Sequence, residues 1–483
     1  MSDTATREQP DLREELGLGD LVMAQVLFVV GSSWVGTAAI LGRAHVAFWL
    51  GAMLLFYIPL AVVVIYLNRM MPLEGGLYQW TKSGLGEMAG FLTAWNLWVY
   101  AVIAISFILF AIPTELKYLL GSPGNWIPEN KLATLALTGG AMAGITLVAI
   151  RGLDIGKKLH NVGSIVIIIV YVVLLGLPLW ALLRGTITHY DLVPWQTPQP
   201  SWRSLAVFGQ MTVGALGGFE FMAIMAGESR NARRNIGWSV AISAPIIALM
   251  FILGTSSVLT FLRPQHEDEL IAPIPQAMRA ALGDTSWVAS LAISLLMIRA
   301  VASASLMFTG LTRLPMTAGW DNLLPRWFAH LHPRRETPVN SILFVAVLVM
   351  LFIFFSMLGV RNKQEVNQLL TGTWISLYSI AYVALFALPL LGRRALRSDL
   401  PGWVKVLSLA GLISTVVSLV ITVYPIIKVP DPGVYAAKVC TAVVVSNLLG
   451  IVIYKGGQRR SRQAATGASE NLGAANTSEG PQV

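Results

Sequence analysis

The amino-acid sequence predicts an all-α polytopic membrane protein with about twelve transmembrane helices. Composition, run length and charge placement predict it. Of 483 residues, 55% are hydrophobic and 12% are charged, whereas soluble domains carry about 25% charged residues. Apolar runs recur from Leu16 to Tyr454 with no long polar segment between them. A helix needs about 20 mostly apolar residues to cross a hydrocarbon core of roughly 30 Å. Unbroken runs of this length differ from the roughly ten-residue alternation of a β-barrel. Helices are then the remaining way to satisfy the backbone inside lipid.

The spans are placed at 17–41, 46–69, 85–119, 131–150, 159–183, 202–227, 236–262, 284–312, 338–359, 366–391, 402–425 and 433–455. With both termini on one side, 22 of the 34 lysines and arginines fall on that side and 11 on the other. Arg299 lies within a span. Basic loops favour the cytoplasm, so the bias predicts cytoplasmic termini in a cell membrane. An odd number of spans would scramble the alternation. The predicted organisation is a tail at 1–15, a membrane domain at 16–455 and a disordered tail at 456–483, rich in Ala, Gly, Ser and Asn.

Several other functions fail on motif grounds. The net charge of +9 is spread over loops and is not interleaved with aromatics on a soluble module, so no nucleic-acid partner is predicted. Cys440 is the single cysteine, which rules out an intramolecular disulfide and a cysteine metal site. His330 and His332 are a weak metal pair in a Pro/Arg-rich loop. The run from Gly152 to Lys158 is one residue short of a phosphate loop and lacks the Ser/Thr after its lysine. No nucleophile elbow, nucleotide fingerprint or zinc motif is found. No cofactor and no catalytic constellation are predicted, and transport would be secondary. No cleavable leader is recognised: the first residues mix acids with two arginines and lead straight into a span.

The most informative feature is a pair of interruptions. Gly31-Ser32-Ser33-Trp34-Val35-Gly36 lies mid-span in the first helix, and Gly214-Ala215-Leu216-Gly217-Gly218-Phe219-Glu220 lies mid-span in the sixth. Each glycine costs a helix interior about 1 kcal/mol relative to alanine, so the clusters favour local unwinding. Unwinding frees N–H groups that attract a carboxylate through direct bonds and the helix dipole. It also frees carbonyls that attract an ammonium or a cation. Small residues in such helices also serve close packing. If spans 1–5 and 6–10 are inverted repeats, the two interruptions sit at matching positions, which points to a binding site at the midplane. Trp34 and Leu216 would flank that pocket, with Tyr100 and Ser106 of span three as side-chain contacts. Gly214 and Gly217 would leave room for a substrate side chain.

Two intramembrane charges stand out. Glu220 follows the sixth-span break. An ionised carboxyl at a helix centre costs about 2.5–3.5 kcal/mol on insertion scales and is a functional candidate by default. It is read either as a proton-coupling group or as a tie between span six and the broken first helix. Arg299 pairs with Glu220, contacts substrate or faces a cavity; a structural counter-ion is the favoured role.

The motifs resemble those of the amino acid–polyamine–organocation (APC) superfamily. Gly31-Ser32-Ser33 resembles its Gly-Ser-Gly stretch, with Ser33 and the bulky Trp34 as departures. Pro72-Leu73-Glu74-Gly75-Gly76-Leu77-Tyr78 resembles its Pro-x-x-Gly-Gly-x-Tyr loop. Gly218-Phe219-Glu220, followed by Glu228-Ser229-Arg230-Asn231-Ala232, resembles its sixth-span signature. Gly319-Trp320-Asp321-Asn322-Leu323-Leu324-Pro325 with Thr337-Pro338 resembles the loop after span eight.

The resemblance implies a five-plus-five inverted repeat (the LeuT-like, or APC, fold). Repeat one would cover about 17–183 and repeat two about 202–391, with extra helices at about 402–455. It implies a substrate carboxylate on the amides of Ser32, Ser33, Trp34, Val35 and Gly36. It implies an ammonium near the carbonyls of Val29, Val30 and Ala215. Some members carry a span-five lysine as a proton carrier, which the run 162–175 lacks. Sodium would want hydroxyls in span eight, where Ser303, Ser305 and Thr309 stand. The expected function is secondary transport of an amino acid, symport or antiport, with a neutral substrate and proton coupling favoured and sodium second. A polyamine transporter is the alternative within the class, and a non-transporting amino acid sensor is the alternative outside it.

Overall fold

The computed structural model describes residues 14–73, 75–262, 272–320, 324–333, 335–357 and 363–478. Among these, ten helices are long and apolar enough to span a membrane. A helix pair bent by 43°, α1 (Leu18–Val29) and α2 (Ser32–Ala39), makes an eleventh. The expected sixth span is divided into shorter pieces. It consists of α8 (Trp202–Gln210), a π turn at Met211–Ala215, the single-turn helix α9 (Phe221–Ile224) and a 3-10 turn at Ala226–Glu228. No piece of it is long enough to qualify alone.

The other spans follow the predicted positions. They are α3 (Gly42–Met70), α5 (Glu87–Leu120), α6 (Lys131–Arg151), α7 (Leu153–Leu183), α10 (Ala232–Phe261), α12 (Trp287–Trp320), α13 (Val339–Ser356), α14 (Lys363–Leu391), α16 (Gly402–Thr422) and α17 (Pro432–Ser478). Three short helices fall where the sequence reading placed loops: α4 (Leu77–Leu85), α11 (Pro273–Leu282) and α15 (Arg394–Ser398). Helix α17 continues through residues expected to form a disordered tail; their many alanines favour helix. Within the loop motif after span eight, residues 321–323 lie outside the described residues.

The side-chain distribution is that of a protein solvated by lipid. Leu54, Val172, Leu183, Val420 and Val452 are exposed, while Gln25, Asn96, Glu115, Glu220 and Arg299 are buried. Packing obeys the expected repeat. Shifting every span by five maps α5 onto α12 and α7 onto α14. The contact of α12 with α7 has its counterpart in that of α5 with α14, and α6 against α12 in α13 against α5. The pairs α5–α12 and α6–α13 map onto themselves. Five is odd, so paired spans run in opposite directions and the repeat is inverted. Helices α16 and α17 pack outside it, against α14 and, for α17, α5.

The loop at residues 72–78 has a tertiary reason for its two glycines. The Gly75 amide donates to the Ile224 carbonyl at 3.0 Å. Gly76 has φ +43°, and a β-carbon there would stand 2.6 Å from the carbonyl carbon of Ala223. Only a residue without a side chain lets this loop reach the backbone of α9. Gly76→Ala is expected to lower stability by about 1–3 kcal/mol, read as a fall in unfolding temperature of the purified protein; an unchanged temperature would contradict the docking role.

Candidate functional site

The first break is confined to two residues. Val30 and Gly31 leave helical geometry, and the chain is helical again from Ser32. This narrows the predicted interruption. Gly31 and the first-turn amides of Ser32 and Ser33 stand at the opening, while Val35 and Gly36 lie deeper in α2, where amides serve the helix's own ladder. Gly36 instead allows α11 to approach: a β-carbon there would meet Pro273 at 2.7 Å.

A cavity of about 240 Å³ opens at this break. Of the predicted residues, Val29, Ser32, Ser33, Trp34 and Tyr100 lie on its wall, with Gly214, Gly217, Arg299 and Ser303 opposite or beside them. Val30, Val35, Gly36, Ala215, Leu216, Ser106, Ser305 and Glu220 are not on that wall. The Ser106 hydroxyl donates to its own helix at Val102 O, 2.9 Å away, as hydroxyls in apolar helices do. Ser305 meets His160 at 3.3 Å. Thr309 donates to Ser305 O.

The cavity runs from the break toward Pro128, Glu129, Lys131, Ser356 and Met357. Those residues sit at the end of the bundle where α5 finishes and α6 begins. The opposite end is closed. There Glu228 and Arg313 form a buried ion pair, with Nη2 to Oε1 at 2.7 Å and Nε to Oε2 at 3.2 Å. The Glu228 carbonyl accepts from the amides of Glu15 and Leu16, and the Arg230 amide donates to Leu16 O. Lys157 reaches Glu15 at 3.5 Å. The segment before α1 is thereby tied to spans five and six, and through Glu228 to α12.

Arg299 fills part of the first break. Nη1 donates to Val30 O at 3.3 Å and Nη2 to Ser32 Oγ at 3.4 Å. The neighbouring Ser303 hydroxyl donates to Leu27 O at 3.3 Å. The expected pairing of Arg299 with Glu220 is not the one observed, because α14 takes Glu220 first. Tyr378 donates to Glu220 Oε1 at 2.6 Å and Tyr382 to Oε2 at 2.8 Å, while the Gly218 amide donates to Tyr382 Oη at 2.7 Å. Glu220 ties the sixth-span break to span ten, not to the first helix. An ammonium at Val30 O would sit beside the Arg299 cation, so that carbonyl is the least favourable of the three expected.

The glycines of the sixth span do not leave empty space. A β-carbon at Gly214 would stand 2.5 Å from the Trp34 ring, and one at Gly217 would stand 2.7 Å from Tyr382 Oη. Their room is taken by the protein's own aromatics. Trp34 meets Trp374 edge-on at 5.9 Å, Tyr100 stacks on Tyr378 at 4.0 Å, and Tyr378 contacts Tyr382 at 4.4 Å. The sequence reading missed Trp374, Tyr378 and Tyr382, although their spacing of four is the signature of one helix face. It also passed over Glu115, which lies in α5 and is 1% exposed.

Comparison with known proteins agrees with this architecture. A family model described as "Amino acid permease" matches residues 20–448. The chain belongs to the amino acid permease family. It is 22% identical over 437 residues to an uncharacterized transporter of Legionella pneumophila, covering 88% of this chain and 92% of that one. It is 22% identical to the mouse b(0,+)-type amino acid transporter 1, covering 82% of this chain and 78% of that one. It is 23% identical to the low-affinity putrescine importer PlaP of Escherichia coli, covering 65% and 68%. Among solved structures, MhsT in complex with L-phenylalanine superposes with a TM-score of 0.58 at 15% identity, covering 83% of this chain and 97% of that one. That likeness concerns the fold. This permease is therefore a multi-pass membrane transporter for amino acids or amines.

The buried pair at the closed end yields a stability test. Glu228→Ala or Arg313→Ala strands a buried charge, expected to cost about 3–5 kcal/mol. Replacing both with apolar residues of similar volume should cost less than either single change. Thermal unfolding of the four proteins measures this, and a double variant less stable than both singles would contradict it.

Proposed function

We propose that this permease is a secondary transporter that moves an amino acid by alternating access around the break in its first helix. The observation that carries this reading is the cavity itself: it reaches the N-terminus of α2 from one end of the bundle, while the Glu228–Arg313 pair closes the other. An α-carboxylate would lie on the amides of Ser32 and Ser33, held by direct hydrogen bonds and the helix dipole. The ammonium would face the carbonyl of Val29, the one of the three expected carbonyl residues that lies on the cavity wall. Trp34, Tyr100 and Trp374 would line the side-chain region. The lysine and arginine bias favours cytoplasmic termini, and the cavity would then open outward. Opening of the inner end would require the Glu228–Arg313 pair and the segment before α1 to separate, one bundle rocking against the other. Glu220, held by two tyrosines, would keep the sixth-span break attached to α14 during that motion.

A polyamine substrate is the second reading, since relatives include a putrescine importer. The Arg299 cation on the cavity wall weighs against it.

Uptake into proteoliposomes tests the proposal. Labelled amino acids are expected to accumulate under an imposed proton or sodium gradient, or to exchange with substrate loaded inside. Trp34→Ala is expected to reduce uptake at least tenfold while leaving the amount of folded protein unchanged. Binding without flux would instead identify a sensor. Putrescine accumulation without amino acid uptake would favour the polyamine reading.

A further inference from the structure

Beside the first break, the protein leaves a group of buried polar atoms without partners. Arg299 Nε, Glu115 Oε2 and Tyr171 Oη each lack a hydrogen-bond partner among the described residues. They come from α12, α5 and α7, and Arg299 interacts electrostatically with both of the others. Glu115 and Arg299 are 1% and 5% exposed. Buried polar groups are normally paired, and exceptions call for an explanation such as an absent ligand.

The charge of the cavity indicates the ligand's chemistry. Arg299 is on its wall, held to the break by Val30 O and Ser32 Oγ, with its Nε left unpartnered. The other charged wall residues are Glu129 and Lys131, both at the mouth. Glu220 is off the wall, and both its oxygens are engaged. Two features at the inner end thus attract anions: the N-terminus of α2 and the Arg299 guanidinium. An α-carboxylate needs only the first. The second suits a further carboxylate, through the fork geometry of guanidinium.

We infer that Arg299 receives a side-chain carboxylate of the substrate, so that this permease carries acidic amino acids, and that Glu115 competes with that carboxylate for Arg299. When Glu115 is ionised its field offsets the charge of Arg299; when it is protonated, the guanidinium is left to the substrate. Proton and substrate are then bound together. This rests on the transport reading above and replaces the expectation of a neutral substrate. The surrounding titratable groups leave Glu115 to Arg299. Arg279 of α11 donates to the carbonyls of Tyr118 and Leu119, Lys117 lies over the Tyr118 ring, and Glu129 and Lys131 stand at the mouth. Tyr378 and Tyr382 of α14 serve Glu220, near Tyr100 and about four turns away along α5.

Proteoliposome uptake of tritiated L-glutamate, L-aspartate, L-leucine and putrescine at several pH values tests this. Wild-type protein should take up glutamate or aspartate, with excess unlabelled leucine or putrescine failing to compete. Uptake should fall about tenfold per pH unit on the alkaline limb. Glu115→Gln should flatten that profile while still transporting, and Arg299→Gln should lose acidic uptake, with Arg299→Lys restoring part of it. If Arg299→Gln does not fold, competition on the wild-type protein still decides the substrate class. Leucine uptake without glutamate or aspartate uptake would overturn the inference and leave the transport proposal standing. Neither binding nor uptake of any amino acid would overturn both. Acidic uptake with an unaltered pH profile in Glu115→Gln would overturn the role of Glu115.

Discussion

A backbone broken inside a membrane must find its partners within the protein, and the architecture around the site follows from that constraint. Lipid offers no hydrogen bonds, so every amide and carbonyl freed at Val30–Gly31 and at residues 216–220 needs a protein group, a ligand or a solvated cavity. Span eight meets the first break with Arg299 and Ser303. Span ten meets the second with Tyr382, which accepts from the Gly218 amide and donates to Glu220. The two solutions differ in charge. A cation and hydroxyls serve the first break; a carboxyl capped by phenols serves the second. The cavity opens beside the first, the one where polar capacity remains unused.

The helices beyond the site hold these breaks in register. The glycine pair at residues 75–76 docks on the backbone of α9. The Glu228–Arg313 pair sits where the sixth span, the eighth span and the segment before α1 converge. Buried ion pairs of this kind contribute little net stability over apolar packing but are costly to break singly. In the alternating-access cycle proposed above, they suit a contact that is made as a unit in one state and released as a unit in another. Contacts repeated under a shift of five spans present the same helix surfaces twice in opposite directions.

Several residues changed meaning once their neighbours were known. Gly214 and Gly217 read as vacant space in one dimension, yet they make room for Trp34 and Tyr382. Glu220 was legible as an intramembrane carboxyl, but its partners lie 158 and 162 residues away in the chain. The tyrosine face of α14 could have been found from its spacing of four; what it faces could not. Glu115 was equally visible as an acid within a span, and only its burial with an unpartnered oxygen marks it out.

The sequence by itself determined the solvent, the placement of the long apolar helices, and the position of the first break. These depend on local quantities: run length against bilayer thickness, and glycine against helix propensity. Four ordered motifs also pointed to the family. Only the tertiary structure decided which end of the bundle is open and which partners each intramembrane charge takes. It also decided that the first break spans two residues and not six, and that the second half of span six is one α-helical turn followed by a 3-10 turn. These depend on contacts between residues far apart in the chain, which local composition does not encode. At the first break the local rule stated that unpaired backbone groups must exist; the packing of α12 against α1 brought a guanidinium to them.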